Sequence, residues 1–377
     1  MPASPAALPG PRAGSGSSSL RIAMVAPPYY AVPPPAYGGI ESVVADLVDG
    51  LVERGHHLTL VAAGRRGTRA QRYLPACDVP RSGELGELLP ELLHAARVGG
   101  LLEQLDIDLV HDHALATPLL ARRRPVPTLV TAHGPVTGES GAYYRALRDT
   151  VRLVGLSDAQ RGAAADLPWV GTVPNGVRVE TYPFRSDKEP FALFLGRFHP
   201  QKAPHLAIDA ARAAGLPLVL AGKCSEPLEQ EYFRREVAPR LGPDVTVFGV
   251  ADAGAKRDLL QRACCLLFPI CWEEPFGLVM IEAMACGTPV AALRRGAVPE
   301  VVVDGVTGVV VDAAADLPAA VSAARRLCAL DCRTHVEASF STAAMTAGYE
   351  AAYRRVVADA EPAPGPWPQA AALGAAS

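Results

Sequence analysis

The segment Glu274-Pro275-Phe276-Gly277-Leu278-Val279-Met280-Ile281-Glu282-Ala283-Met284 sets two carboxylates around what reads as a short helix, with Pro275 in its first turn and Gly287 and Pro289 ending it. Glu282 falls among Ile281, Ala283 and Met284, so its charge needs partners. Two adjacent ligand hydroxyls would satisfy both of its oxygens. Glu274 stands just before the helix, where free N–H groups of Phe276, Gly277 and Leu278 would face an anion. A helix cap plus a helix-face glutamate is the plainer reading of the same spacing. Arg197 follows the apolar run Phe191–Leu195, and Lys202 enters the next helical segment. A planar fork and a point charge there suit a diphosphate, although two solvated surface cations would have the same spelling. Near the start of the chain, Gly38-Gly39 opens a helix after the run Ile22–Ala26. Bare backbone N–H groups there could receive a phosphate, or the pair could make a tight turn. This is not a G-x-G-x-x-G fingerprint and no acid is spaced for a dinucleotide ribose, which argues against NAD.

These groups need elements to hold them at strand ends. From Arg21 onward, short apolar runs alternate with helix-length segments: Ile22–Ala26, Leu58–Ala62, Leu109–His113, Thr128–Ala132, Arg152–Leu156 and Gly171–Pro174 read as strands. They are continuous rather than alternating, as expected of a parallel sheet covered on both faces. The stretch 178–189 is polar, and the pattern then restarts at Phe191–Leu195, Leu218–Ala221, Val245–Phe248, Cys265–Pro269, Pro289–Ala292 and Val309–Val311. The expected fold class is α/β with two doubly wound, Rossmann-like sheets in tandem, joined at about 177–190. A last helix, roughly Thr342–Ala358, follows the second. Ligands of open α/β sheets lie beyond the carboxyl ends of the strands, so two facing sheets make a cleft with loops on both walls.

The 377 residues suit two domains at ~100–200 residues each. With 36 Lys+Arg against 39 Asp+Glu, no basic excess exists to neutralise a nucleic-acid backbone. Lysine is scarce: Lys188, Lys202, Lys223 and Lys256 are the only four. The eight cysteines form no C-x-x-C pair and mostly sit in apolar runs, so disulfides and structural zinc are not expected and a reducing cytoplasm is. No apolar run approaches the ~20 residues that span a bilayer. The expectation is a soluble chain with peripheral membrane contact left open, for instance through Arg122-Arg123-Arg124, which otherwise reads as a solvated loop. Both ends, 1–20 and 360–377, read as Pro/Ala/Gly-rich disordered tails.

Two metal-like spellings occur. Asp106-Ile107-Asp108 is a D-x-D, but it precedes the run Leu109–His113 and so belongs at the end of the sheet away from the cleft. His111 and His113 point the same way along a strand without a third ligand nearby, so in place of a metal site one of them is expected to face the acceptor or support the His133 loop. Tyr29, Tyr30 and Tyr37 lie in a long proline-rich loop, where they could stack on a sugar or aglycone or pack the loop itself.

Taken together, the Glu-x7-Glu segment with its Pro-Phe-Gly-Leu core, Gly196-Arg197-x4-Lys202, the early glycine pair and Asn175-Gly176-Val177 resemble the family 4 retaining glycosyltransferases of GT-B fold. The resemblance covers roughly 21–358. It implies an acceptor domain over 21–177, a donor domain over 190–342, and a helix over 343–359 crossing back to the first. By that likeness Glu282 would bind the nucleotide ribose, Arg197 and Lys202 the diphosphate, and Gly39 (beside Gly38) the phosphates from the opposite wall. Glu274 with the Phe276, Gly277 and Leu278 backbone would meet the donor sugar, and Gly249-Val250 would lie near the base. His133, in Thr131-Ala132-His133-Gly134, matches the family histidine that approaches the transferring sugar. The implied reaction moves a hexose from a UDP- or GDP-linked sugar to an acceptor hydroxyl of a glycan, lipid or natural product. It would need no metal and no cofactor beyond that co-substrate. The competing readings are a nucleotide-sugar hydrolase or epimerase of the same fold, and a non-catalytic sugar-nucleotide binder.

Overall fold

The computed structural model describes residues 19–360. Thirteen strands form two all-parallel sheets. The first contains β1 (Arg21–Val25), β2 (His57–Ala63), β3 (Arg72–Cys77), β4 (Leu109–Asp112), β5 (Thr128–Thr131), β6 (Arg152–Gly155) and β7 (Trp169–Thr172), in the order β3-β2-β1-β4-β5-β6-β7. The second contains β8 (Glu189–Leu195), β9 (Leu218–Ala221), β10 (Val245–Gly249), β11 (Ala263–Phe268), β12 (Val290–Leu293) and β13 (Gly308–Val311), in the order β10-β9-β8-β11-β12-β13. Parallel pairing explains the uninterrupted apolar runs, because both faces of each sheet are covered. Successive residues of β1 split between the faces: Ile22 and Met24 join the core under the helix Gly39–Glu53, whereas Ala23 and Val25 meet Val98 and Leu102 of the helix Leu88–Leu102. Strand order reverses between β1 and β4 in one sheet and between β8 and β11 in the other, and these two switch points mark where ligands would sit.

The helix Thr342–Ala358 leaves the second half and packs on Gly39–Glu53 of the first. Ser341 caps it, accepting a hydrogen bond from Ala344 N at 3.3 Å. Gly50 allows the close approach: a Cβ there would lie 2.4 Å from Thr346 Oγ1. Tyr349 and Tyr353 are fully buried in the first half's core. The crossing is pinned at Val177, whose N–H donates to Phe340 O and whose carbonyl accepts from Thr342 N, both at 2.9 Å.

Several expectations need correction. β3 carries Pro75 and forms an edge of the first sheet, where a missing N–H is tolerated, and a proline in mid-run hides it as a strand in the sequence. The site helix begins at Leu278 rather than at Pro275, with Gly277 left-handed (φ 81°) before it. The polar connection 178–189 is partly internal: Tyr182 is buried, and β8 already starts at Glu189. Arg124 does not join Arg122 and Arg123 at the surface; it turns inward to donate to Thr117 O at 2.8 Å and to pair with buried Asp112. Residues 1–18 and 361–377 of the expected tails lie outside the described residues, while Ser19 and Leu20 belong to the first half, with Leu20 buried. No helix among the described residues is long and apolar enough to cross a membrane.

Candidate functional site

The carboxyl ends of β8 and β11 open into a cleft closed on its far side by Gly38 and Gly39 of the first half. Arg197 projects just past β8, and its Nη1 lies 3.5 Å from Glu229 Oε1 and 3.6 Å from Glu226 Oε2. Glu229 is buried because it completes a capping box, its Oε2 accepting from Ser225 N and Glu226 N at 2.9 and 3.1 Å. A buried carboxylate at a fixed place in turn holds the guanidinium at the strand end.

Past β11, Glu274 Oε2 accepts from Trp272 Nε1 at 3.0 Å and pairs with Lys202 Nζ. The Lys202 ammonium lies 5.3 Å from the Trp272 ring and 5.8 Å from that of Phe268, within cation–π range of both. Gly296, with φ 50°, lets the next loop close over this turn, since a Cβ there would come within 2.2 Å of Glu274 O. Glu282, expected to be short of partners in its apolar helix, has two: Tyr182 donates to Oε1 at 2.9 Å and Lys256 Nζ to the same oxygen at 2.5 Å. Burial, and then the Glu282 charge, push the Tyr182 hydroxyl well above its ordinary range, so it stays a donor. Arg257 stacks 5.3 Å over the Tyr182 ring.

From the other wall the helix Gly39–Glu53 points its amino end into the cleft, with Gly38 before it at φ 147° and no side-chain cap. Its first N–H groups and dipole add positive potential opposite Arg197 and Lys202. The two halves meet here: a Cβ on Gly39 would lie 3.9 Å from Leu278 Cδ2.

A second cavity continues from Tyr37, Gly38 and Gly39 over the first sheet, past Tyr29, Tyr30, His113 and His133. Tyr30 and Tyr37 meet edge to face at 5.6 Å, and the Tyr29 hydroxyl donates to Glu87 O at 3.3 Å. His133 Nε2 lies 2.8 Å from His113 Nδ1, and burial takes the His133 pKa down to about 4. Glu41, also lining this cavity, is pushed up to about 7 by burial.

The structure thus gathers Arg197, Lys202, Glu274, Glu282, Gly38 and Gly39 in one cleft, together with Val250, Gly277 and Leu278. Tyr29, Tyr30, Tyr37 and His133 share the adjoining cavity. Two expected residues line neither: the Phe276 side chain packs in the core 5.8 Å from Phe340, and Gly249 uses its carbonyl to accept from Gly222 N at 2.8 Å. The D-x-D lies at the amino ends of the central strands, away from the cleft, where Arg21 at the start of β1 pairs with both Asp106 and Asp108. Sequence reasoning missed Lys223, Lys256, Tyr182 and Glu41. The lysines carried a usable signal, since three of the four in the chain line this cleft. Lys188, the fourth, donates instead to Gln261 O, Cys286 O and Thr288 Oγ1 at 2.8–2.9 Å.

Residues 37–181 match the family model Glycosyltransferase Family 4, and residues 182–333 match Glycosyl transferases group 1. The chain is 30% identical over 341 residues to alpha-maltose-1-phosphate synthase of Mycobacterium tuberculosis, covering 79% of this chain and 86% of that protein. Among solved structures it resembles AviGT4, a glycosyltransferase involved in avilamycin A biosynthesis, at 26% identity and a TM-score of 0.66, over 90% of this chain and 99% of that one. It also resembles Anabaena Alr3699/HepE in complex with UDP-glucose, with a TM-score of 0.68 over 90% of this chain and 100% of that one; at 16% identity that likeness concerns the fold alone.

Proposed function

This chain belongs to the family 4 glycosyltransferases of GT-B fold, and we propose that it transfers a hexose from a nucleoside diphosphate sugar, UDP- or GDP-linked, to an acceptor hydroxyl, with retention and without a metal ion. The observation that carries this reading is the convergence of Arg197, Lys202, Lys223 and Lys256 with Glu274 and Glu282, facing the amino end of the Gly39–Glu53 helix. That array is the complement of a diphosphate flanked by two sets of hydroxyls. In this reading Glu282, steadied by Tyr182 and Lys256, accepts hydrogen bonds from the ribose hydroxyls. Val250 and Ala251 border the base, and Glu274 meets the donor sugar. The UDP-glucose complex of a protein with the same fold is consistent with such a donor.

As the bond from the anomeric carbon to the phosphate oxygen breaks, negative charge accumulates on the leaving diphosphate. Arg197, Lys202 and the helix N–H groups stabilise it without having to reorganise. The acceptor oxygen bonds to the anomeric carbon on the face the phosphate leaves, and the departing phosphate oxygen takes the acceptor proton. The adjoining cavity, with its tyrosines and His133, holds the acceptor and the far side of the sugar. Movement of the halves about residues 177–190 would exclude water.

Calorimetric titration with UDP-, GDP- and ADP-linked hexoses tests the donor site. Binding of one series is expected, and absence of binding by all three would end this reading. Transfer undiminished by EDTA, with the product anomer read by NMR, tests the remaining terms. Steady consumption of donor without an acceptor would point to a hydrolase instead.

A further inference from the structure

Beneath the second cavity three side chains, one on β1 and two just past the ends of β4 and β5, form a chain of contacts. Met24 on β1 lies with its sulfur 3.1 Å from His113 Nε2, and His113 Nδ1 lies 2.8 Å from His133 Nε2. Met24 is fully buried and His113 nearly so, while His133 is half-buried and lines the cavity. The two imidazole rings are 5.1 Å apart and tilted by 30°.

The chemistry of the first member decides the protons of the others. A thioether sulfur can only accept, so the His113 nitrogen facing it must carry hydrogen. A doubly protonated His113 would be a buried cation whose neighbours are Met24, His111 and His133, with no carboxylate among them, and burial with those two rings lowers its pKa well below the ordinary value. His113 is therefore neutral, with hydrogen on Nε2 and a bare Nδ1. A bare Nδ1 at 2.8 Å from His133 Nε2 requires that nitrogen to donate. His133, also neutral, is left with hydrogen on Nε2 and a lone pair on Nδ1, which has no protein partner among the described residues.

We propose that Met24 and His113 are positioning residues that fix His133 as the Nε2–H tautomer, so that it offers the cavity a hydrogen-bond acceptor and takes a substrate hydroxyl rather than a phosphate or ring oxygen. A hydroxyl donates into the Nδ1 lone pair, whereas an oxygen with no hydrogen would meet that lone pair with its own. The tautomer assignment stands on the contact geometry together with the burial that keeps both rings neutral; the identity of the hydroxyl as one on the donor sugar or the acceptor rests on the glycosyltransferase reading above.

The test is long-range proton–nitrogen NMR on the full chain labelled at histidine, with the His133 signals identified by their loss in His133→Gln. The expected pattern is Nε2–H for both His113 and His133. In Met24→Leu, which keeps the volume but removes the acceptor, the His133 tautomer ratio should shift by about two- to tenfold, the worth of one weak hydrogen bond. Affinity for UDP-glucose or GDP-mannose, titrated in parallel, should fall by no more than that factor where His133 takes a donor hydroxyl and stay level where it takes the acceptor's. Hydrogen on Nδ1 of His133 in the unaltered protein, or an unmoved ratio in Met24→Leu, would overturn the proposal. If neither sugar nucleotide binds while the expected tautomers are present, the donor reading fails and the positioning role stands.

Discussion

Across the cleft, the strand ends of the second sheet present Arg197, Lys202, Lys223 and Lys256 with Glu274 and Glu282. Those of the first sheet present Tyr29, Tyr30, Tyr37 and Tyr144 with His113 and His133, and two carboxyls, Glu41 and Glu91, whose pKa values burial raises. Both walls sit at switch points of the same kind of sheet, so the fold does not impose the difference. Charged groups are worth placing where a ligand's charge is fixed and changes during reaction. Neutral rings and hydroxyls suit a partner recognised by shape and hydroxyl pattern. On the proposed reading, the contrast separates a wall that acts on the reaction's charge from a wall that chooses and aligns what reacts.

If that separation holds, a cation lost from the second sheet should cost rate and little stability. Lys202→Ala is expected to lower the transfer rate about 10²–10³-fold, the usual consequence of removing one preorganised charge-stabilising group. Tyr30→Phe on the opposite wall should lower it far less, since its ring contact with Tyr37 survives. Steady-state kinetics on the two variants decide it. Equal losses would erase the distinction between the walls.

The charged wall of the second sheet was largely legible in the sequence because its signals are local. Glu274 and Glu282 lie on one short segment, and Gly196-Arg197 with Lys202 mark a strand exit and a helix entry. What escaped is contact across the chain. Tyr182 reaches Glu282 over 100 positions, and Met24 reaches His113 over 89. No periodicity records such a meeting; only the sheet order does. Lys223 and Lys256 form an intermediate case: their rarity drew notice, but nothing local tied them to a strand end. The strand periods were legible wherever both faces of the sheet are apolar, and failed at β3, an edge strand with a proline.

The neutral character of the first wall can itself be broken by pH. Burial raises Glu41 to about 7 from an ordinary 4.5, so between those values the folded chain keeps a proton that the unfolded chain releases. Stability from this group is thus present below about pH 4.5 and is lost as pH rises through about 7, by ~3 kcal/mol in all. Asp46, raised to about 6 by burial, slopes the same way, so the readout is a difference between proteins. Denaturant unfolding at pH 5 and pH 8 should show a smaller fall for Glu41→Gln than for the unaltered chain. Equal falls would mean that Glu41 is charged and solvated when folded, and that the first wall carries a charge after all.

The smallest expected effect concerns what holds the first wall rigid. His111 lies under His113, their ring centres 4.1 Å apart, and it is anchored to the crossing helix: its Nδ1 is 2.7 Å from the Tyr353 hydroxyl. Its Nε2 is 2.8 Å from Thr131 Oγ1, which is in turn 2.9 Å from the Tyr349 hydroxyl. Tyr353→Phe leaves a fully buried ring nitrogen without a partner and should cost about 1–3 kcal/mol of stability. Tyr349→Phe leaves Thr131 still bonded to His111 and should cost about 1 kcal/mol or less. Unfolding midpoints of the two variants separate these cases, because the rings and their packing are retained in both. A larger loss in Tyr349→Phe than in Tyr353→Phe would place the anchor at Thr131 rather than at His111. The crossing helix would then support the β5 strand end directly, rather than the ring beneath His113.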